Sequence, residues 1–259
     1  MQSHILLNKP QGLTPLQAIT AFKKQHPLYQ KEKLSFAGRL DPMAEGLLLV
    51  LVGNENKKRR EYEELPKTYQ FELLLGISTD TYDCLGRIEK VQAVIIPEQK
   101  EIEKIFSIFK GTRTQPYPPF SSKTVNGKPL YYWARKNKIG EITIPMKEIT
   151  ITSLTLNSTS LIKQKKLVQA VISRIKKVRG DFRQEDISKD WSDLHIPPQS
   201  SFPLLTCTAT VSSGTYIRSL CQQIGKELGY PALALSIKRT RVGDFSLENA
   251  IEIVRTIRF

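Results

Sequence analysis

The sequence predicts a mixed α/β fold of the α+β class, and three observations carry the prediction. Segments of helical and of strand periodicity interleave along the 259 residues without strict βαβ alternation. One short run, residues 47–52, is apolar on both sides and ends at Gly53, which suits a strand buried in the middle of a sheet. The length allows one large core or two modest ones, and the composition is that of a soluble globular chain without internal repeats.

The elements follow in order. "HILLNKPQGLTP" reads as a short strand and a Pro/Gly turn, after which Thr14 caps a helix with Pro15 at its first position; that helix stops before Pro27. Residues 47–52 form the buried strand. "KTYQFELLLG" (67–76) is another strand, and "STDTYDCLGRI" is a polar turn leading into a further one. "PEQKEIEKIFSIFKG" is an amphipathic helix with Ile102, Ile105, Phe106 and Phe109 on one stripe, ended by Gly111. "TQPYPPFSSKTVNGKPLYYWARK" is loop-rich and becomes helical from about Leu130. "EITITSLTLNS" alternates like a strand.

Residues 161–191 break this rhythm and read as an insertion. Leu167, Val168, Val171, Ile172, Ile175 and Val178 recur at helical spacing, so one face should pack on the domain, with Gly180 ending the helix. "FRQEDISKDW" is expected to add a second helical stretch anchored by Trp191. Then "LLTCTATVSSGTYIRSLCQQIGKELG" gives a strand, a Ser-Ser-Gly turn and a helix ending at Gly229, while "ALALSIKRTRVGDF" admits helix or strand.

The net charge of +14 favours a polyanionic partner, nucleic acid being the commonest. Cys84, Cys207 and Cys221 are odd in number and widely spaced, which fits a reducing cytosol rather than a disulfide framework. His4, His26 and His195 stand apart from them, so no zinc-site spacing arises. The first residues lack the apolar run of a signal peptide, and the longest apolar run is too short to span a bilayer.

Three polar residues stand out. Asp41 occupies a Gly-Arg-Leu-Asp-Pro turn at the mouth of the apolar strand, its backbone pushed away from helical conformations by Pro42. A lone acid there is a cap, a surface charge or a catalytic carboxylate. Tyr69, at a strand start, is either core packing with its hydroxyl at the rim or part of a site. Arg218, in the first turns of the helix after the Gly turn, either pairs with a surface acid or keeps a catalytic carboxylate ionised through a bidentate salt bridge. Two basic clusters, Lys238, Arg239 and Arg241, and Lys57, Lys58, Arg59 and Arg60, are ordinary solvated faces taken singly; with the net charge they favour phosphate contacts. Eight basic side chains against one acid mark residues 161–183 as a candidate RNA-backbone clamp or a solvated face. No Gly-rich phosphate loop, HExxH helix or GxSxG elbow is present.

The order of the motifs resembles the TruB family of tRNA pseudouridine synthases. "LNKPQGLTP" is similar to the opening D-K-P-x-G-x-T-S, and "FAGRLDPMAEGLLLVLVG" to the G-T-L-D-P-x-A-x-G-x-L block. "KTYQFELLLGISTDTYDCLGRI" resembles the K-x-Y strand followed by G-x-x-T-D-T-x-D-x-x-G. "TQPYPPFSSKTVNGKPLYYWAR" is similar to Q-x-P-P-x-Y-S-A-x-K-x-x-G-x-x-x-Y-x-x-A-R, and residues 212–245 to the closing S-x-G-T-Y-I-R and R-T-x-x-G-x-F. Each block alone is moderate evidence; five in order, over most of residues 4–250, are strong.

The resemblance implies a pseudouridine synthase fold, with a mixed, largely antiparallel central sheet flanked by helices in a single catalytic domain. It implies that the uridine of the TΨC loop of tRNA, position 55, is isomerised with Asp41 as nucleophile, Tyr69 stacking on the base and acting as acid/base group, and Arg218 pairing with Asp41. The residues expected to bind RNA are Phe36, Arg39, Lys9, Lys67, Lys123, Arg239 and Arg241. The uracil must leave its ribose, rotate and rejoin through carbon; no redox step occurs, so neither a cofactor nor a metal is needed. The uridine must be flipped out of the RNA and held by stacking. A cytoplasmic monomer that uses the TΨC arm of tRNA as partner, without a membrane, is expected.

Three departures bear on this. Phe36 replaces the family histidine near the G-T-L-D-P turn, and its ring is expected to stack on a displaced base. Arg39 replaces the family threonine and resembles sister enzymes acting on ribosomal RNA, so an rRNA or broader target is the first alternative and a non-catalytic RNA-binding or RNA-folding protein the second. The chain ends at Phe259, too early for the C-terminal PUA-type domain that the family often carries.

Overall fold

In a computed structural model of the chain, residues 2–194, 196–197 and 200–253 are described. His195 and Phe259 lie outside them. The strands begin with β1 (His4–Lys9), β2 (Leu34–Ala37), β3 (Glu45–Val52), β4 (Lys67–Leu75), β5 (Ile77–Thr79), β6 (Ile88–Val91) and β7 (Gly111–Pro116). A small hairpin, β8 (Thr124–Val125) and β9 (Lys128–Pro129), is followed by β10 (Met146–Lys163), β11 (Ser201–Val211), β12 (Ala232–Val242), β13 (Phe245–Ser246) and β14 (Ile251–Glu252). The helices are α1 (Pro15–Gln25), α2 (Arg59–Glu64), α3 (Gln99–Phe109), α4 (Leu130–Arg135), α5 (Gln164–Lys177), α6 (Gln184–Ser192) and α7 (Ile217–Glu227).

One large sheet runs β14-β1-β3-β12-β4-β11-β10-β7, with β2 on β3 and β13 on β12. Among its described pairs only β1–β14 and β3–β12 are parallel, so the sheet is mixed and largely antiparallel, as expected. The period of two along β3 explains its unbroken apolar sequence. Leu48, Val50 and Val52 face a cluster with Ile5, Leu7, Ala18, Ile19 and Phe22, while Leu47, Leu49 and Leu51 join Ala37 and Val242 on the other face. Each such leucine, fully buried, contributes roughly 1.5–3 kcal/mol. Asp41 is therefore mounted just ahead of a strand that has little freedom to move.

The helices follow their sequence signals. Thr14 and Gln17 close a capping box at α1, and His26 ends it. On α3 the four predicted stripe residues are the buried ones. Helix α7 approaches β12 so closely that a Cβ on Gly225 would lie 2.2 Å from the Ala232 Cβ. The 232–242 stretch is a strand, because β3 and β4 supply partners on both sides.

The 161–191 region differs from the expectation at its start and in its middle. Residues 161–163 complete β10 and pair with Ser201, Phe202 and Pro203, so the helical part begins at Gln164. Helix α5 ends at Lys177, before Gly180: Val178 turns to an extended conformation and buries its side chain in the core. Gly180, with φ +100°, lies in the connection to α6. Leu167, Val171 and Ile175 of α5, and Ile187 and Trp191 of α6, belong to the main core cluster, so both helices are integral to the domain. Residues 114–116 of β7 and the β8–β9 hairpin lie in the segment read as loop-rich. The three cysteines are buried and unpaired. Among the described residues no helix is long and apolar enough to cross a membrane.

Candidate active site

The turn carrying Asp41 is pinned from within and from beside. Leu40 and Met43 are buried in the main core, and the Ala44 N–H donates to the Asp41 carbonyl at 3.1 Å. From the β1–α1 turn, the Gly12 N–H donates to the Pro42 carbonyl at 2.7 Å and Gln11 Nε2 to the Met43 carbonyl at 3.1 Å. The side chain is left partly open, on the wall of a cavity of about 590 Å³, a size suited to a small ligand group.

Arg218 is 2% exposed, at the second position of α7. Its Nε donates to Asp41 Oδ2 at 2.7 Å, its Nη1 to the Thr81 carbonyl at 2.7 Å and its Nη2 to the Phe120 carbonyl at 3.2 Å. The expected bidentate grip on the carboxylate is thus a single bond. The other arms of the guanidinium reach two loops that also line the cavity. A buried guanidinium needs compensating charge. Although burial works against its ionised form, the carboxylates of Asp41 and Asp83 hold Arg218 firmly protonated.

Asp83 supplies the second acid, with Oδ2 at 3.6 Å from Arg218 Nε. Its other oxygen accepts from Thr81 Oγ1 at 2.7 Å and from the Leu85 N–H at 2.8 Å. Burial pushes its carboxyl up to about 6, against the pull of Arg218. Sequence reading included this residue in a turn motif without marking it as a site residue, because burial and a partner 135 positions away are invisible there. Tyr216 was missed likewise: it lines the cavity, and burial pushes its hydroxyl up to about 12.

Tyr69 stands on β4 opposite Ala209 and Arg239 and lines the same cavity as Asp41, 8% exposed. A fourth wall comes from the α5–α6 connection, with Asp181, Phe182 and Arg183. Arg183 is tied by a two-pronged pair to Asp80, at 2.6 and 3.1 Å, and lies over the Phe120 ring at 4.3 Å. Arg135 of α4 holds both the side chain and the carbonyl of Asp181.

The expected RNA-binding residues divide. Lys9 is buried, with its ammonium on the Pro10 and Leu13 carbonyls, so it ties the β1–α1 turn and presents nothing to a phosphate. Lys67 is buried too, bonded to the Glu63 and Leu65 carbonyls, and burial lowers it to about 8. Arg239 is buried with its N–H groups on the Leu47, Arg39 and Gly38 carbonyls, where it braces the chain on either side of the Asp41 turn. Lys67 and Arg239 thus form cavity wall, not an outward phosphate surface. Phe36 does not line the cavity: it packs on the β1–α1 cluster, with Arg59 over its ring. Arg39 is exposed at the cavity, while Lys123 and Arg241 are exposed away from its lining. In the 57–60 cluster, Lys58, Arg59 and Arg60 pair with Glu55, Glu63 and Glu64. Among the described residues, no group of three or more His, Cys, Asp or Glu side chains could hold a metal ion.

Comparison with known proteins gives a consistent picture. The model of a family described as TruB family pseudouridylate synthase, N-terminal domain, matches residues 26–177, which include Asp41 and Tyr69. The chain is 32% identical over 253 residues to tRNA pseudouridine synthase B of Syntrophomonas wolfei subsp. wolfei, covering 98% of this chain and 71% of that protein. It is 33% identical over 245 residues to tRNA pseudouridine synthase B of Bacillus subtilis (strain 168), covering 94% of this chain and 66% of that one. Among solved structures, a crystal structure of a Cbf5-Nop10-Gar1 complex aligns with a TM-score of 0.60 at 20% identity, over 96% of this chain and 52% of that one. A structure of an H/ACA RNP bound to a substrate RNA containing 2′-deoxyuridine aligns with a TM-score of 0.56 at 20% identity, over 96% of this chain and 50% of that one. At such identities these two show a shared fold.

Proposed function

The chain belongs to the TruB family of pseudouridylate synthases, and on that premise we propose that it isomerises the TΨC-loop uridine of tRNA, position 55, to pseudouridine with Asp41 as nucleophile. The substrate class follows the relatives named tRNA pseudouridine synthase B. The observation that carries the chemical reading is the Asp41–Arg218 pair on the wall of a cavity that also holds Tyr69.

The uridine flips out of its loop, at the cost of unstacking, and the base enters the cavity against Tyr69. The Arg218 N–H bond orients the Asp41 carboxylate toward the nucleotide. Asp41 forms a bond to the nucleotide, the bond between the uracil nitrogen and the ribose breaks, the detached uracil rotates, a bond from its carbon to the same ribose carbon forms, and the bond to Asp41 breaks to return the free carboxylate. The proton on that carbon then leaves, and the vacated nitrogen is protonated, so the reaction is an isomerisation with no net change in atoms. Tyr69 acts as stacking platform and acid/base group. The apolar side chains of Leu40, Leu85 and Ile237 beside the base limit access of water, which would otherwise trap the detached sugar. We further propose that the protein acts as a monomer, in the cytoplasm. The test is incubation with unmodified tRNA transcript followed by mapping of pseudouridine.

A further inference from the structure

We infer that the outer face of α5 is a second RNA-backbone contact surface that raises affinity for the substrate without touching the reacting base. This rests on the tRNA reading above. The inner face of α5, Leu167, Val171 and Ile175, is spent on the core. The outer face exposes Lys165, Lys166, Lys176 and Lys177, and the helix contains no acid.

Three observations point to an external anion. First, none of the four lysines has a carboxylate within ion-pair distance among the described residues. In the comparably basic 57–60 stretch, Lys58, Arg59 and Arg60 pair with Glu55, Glu63 and Glu64, and Lys57 alone has no ion pair among the described residues. Of the acids that follow α5 in sequence, Asp181 pairs with Arg135, and Asp186 and Asp190 pair with Arg87, while Glu185 forms no ion pair with any of the four lysines. Second, Lys165 and Lys166 sit in the first turn, where the helix dipole disfavours cations. Their placement therefore does not serve helix stability. Third, the basic C-terminal end is anchored beside the reacting turn. Gly12, with φ +94°, lets the Lys177 carbonyl come so close that an added Cβ would lie 2.3 Å from it, and the same Gly12 N–H holds Pro42, next to Asp41. The chain leaving α5 then lines the cavity through Asp181, Phe182 and Arg183.

A nucleotide inserted in the cavity leaves its flanking phosphates at the rim. From there α5 offers a path about 16 Å long between Lys166 and Lys177, at roughly 1.5 Å of rise per residue, enough for several phosphates. Lysine suits this role, since it acts as a point charge without demanding a fixed geometry.

The experiment replaces Lys165, Lys166, Lys176 and Lys177 by Gln together in the full chain and measures binding of unmodified tRNA transcript across a salt series. A control replaces Lys57, Lys58, Arg59 and Arg60 by Gln. If about three α5 lysines reach phosphates, the slope of log affinity against log salt flattens by roughly two to three units in the α5 variant, since each contact contributes about 0.7–0.9. KM for tRNA should rise while kcat at saturation is unchanged. An unaltered slope in an α5 variant whose circular dichroism and melting match wild type would overturn the inference, as would equal flattening in the control, which would reduce the effect to net charge. Turnover by the wild-type protein is read separately, so loss of the isomerase reading would show as absent product rather than as an unchanged slope.

Discussion

Arg218 Nε lies 2.7 Å from Asp41 Oδ2, although 177 positions separate the two residues in the chain. The distance is held from both ends. The Asp41 turn is clamped by buried Leu40 and Met43, and Arg218 opens a helix whose Leu220, Cys221 and Ile224 are buried in the same core. Because the remaining guanidinium arms hold the Thr81 and Phe120 carbonyls, one side chain positions both the Asp41 carboxylate and two walls of the cavity.

Arg218→Lys should therefore cost at least about a hundredfold in kcat, roughly 3 kcal/mol of transition-state stabilisation. A lysine ammonium keeps the charge but cannot span three partners lying in the plane of a guanidinium. Single-turnover kinetics on tRNA would measure the loss. A variant as active as wild type would show that the three-way brace is dispensable.

Asp83 gives a pH signature. Burial raises its carboxyl from 3.8 to about 6, so the folded chain holds a proton there that the unfolded chain has already released. Between about pH 4 and 6 the folded state binds more protons, and this group makes stability fall as pH rises through that window; below about 4 and above about 6 its contribution is flat. Asp83→Asn removes the titration. Its stability relative to wild type should rise from about pH 4 to 6, by up to about 3 kcal/mol. Urea unfolding of both proteins across that range checks it, and a difference independent of pH would contradict the assignment.

Arg183 braces Phe120, whose carbonyl holds Arg218. Its pair with Asp80 is only partly buried, so Arg183→Ala should lower stability by about 1 kcal/mol, discounted for solvent screening. It should lower kcat/KM by about tenfold through loosening of the Phe120 wall. Thermal melts and steady-state kinetics separate the two effects; full activity in a destabilised variant would make the contact purely structural.

Much of this site is legible in the amino-acid sequence. Asp41, Tyr69 and Arg218 stood in separate motifs, and the fold brings all three to one cavity. Strong local signals placed α1, α3 and β3, where capping residues and periodicity agree. The signals failed where tertiary contacts decide. Val178 leaves α5 to reach the core, residues 161–163 stay in a strand because β11 pairs with them, and 232–242 becomes a strand through partners far away in sequence. The expected RNA contacts divide for the same reason: the head groups of Lys9, Lys67 and Arg239 are spent on backbone carbonyls, and Phe36 packs away from the cavity.

The central claim is tested most directly by incubating the wild-type protein and Asp41→Asn with unmodified tRNA transcript and mapping pseudouridine at each position. The wild-type protein should place one pseudouridine at position 55. Asp41→Asn should place none while binding the transcript within a few-fold of wild type, because the amide keeps the shape and loses the nucleophile. Product from Asp41→Asn at near wild-type rate would remove Asp41 from the chemistry. A wild-type protein that leaves the tRNA unmodified but modifies ribosomal RNA, or that modifies neither, would contradict the account.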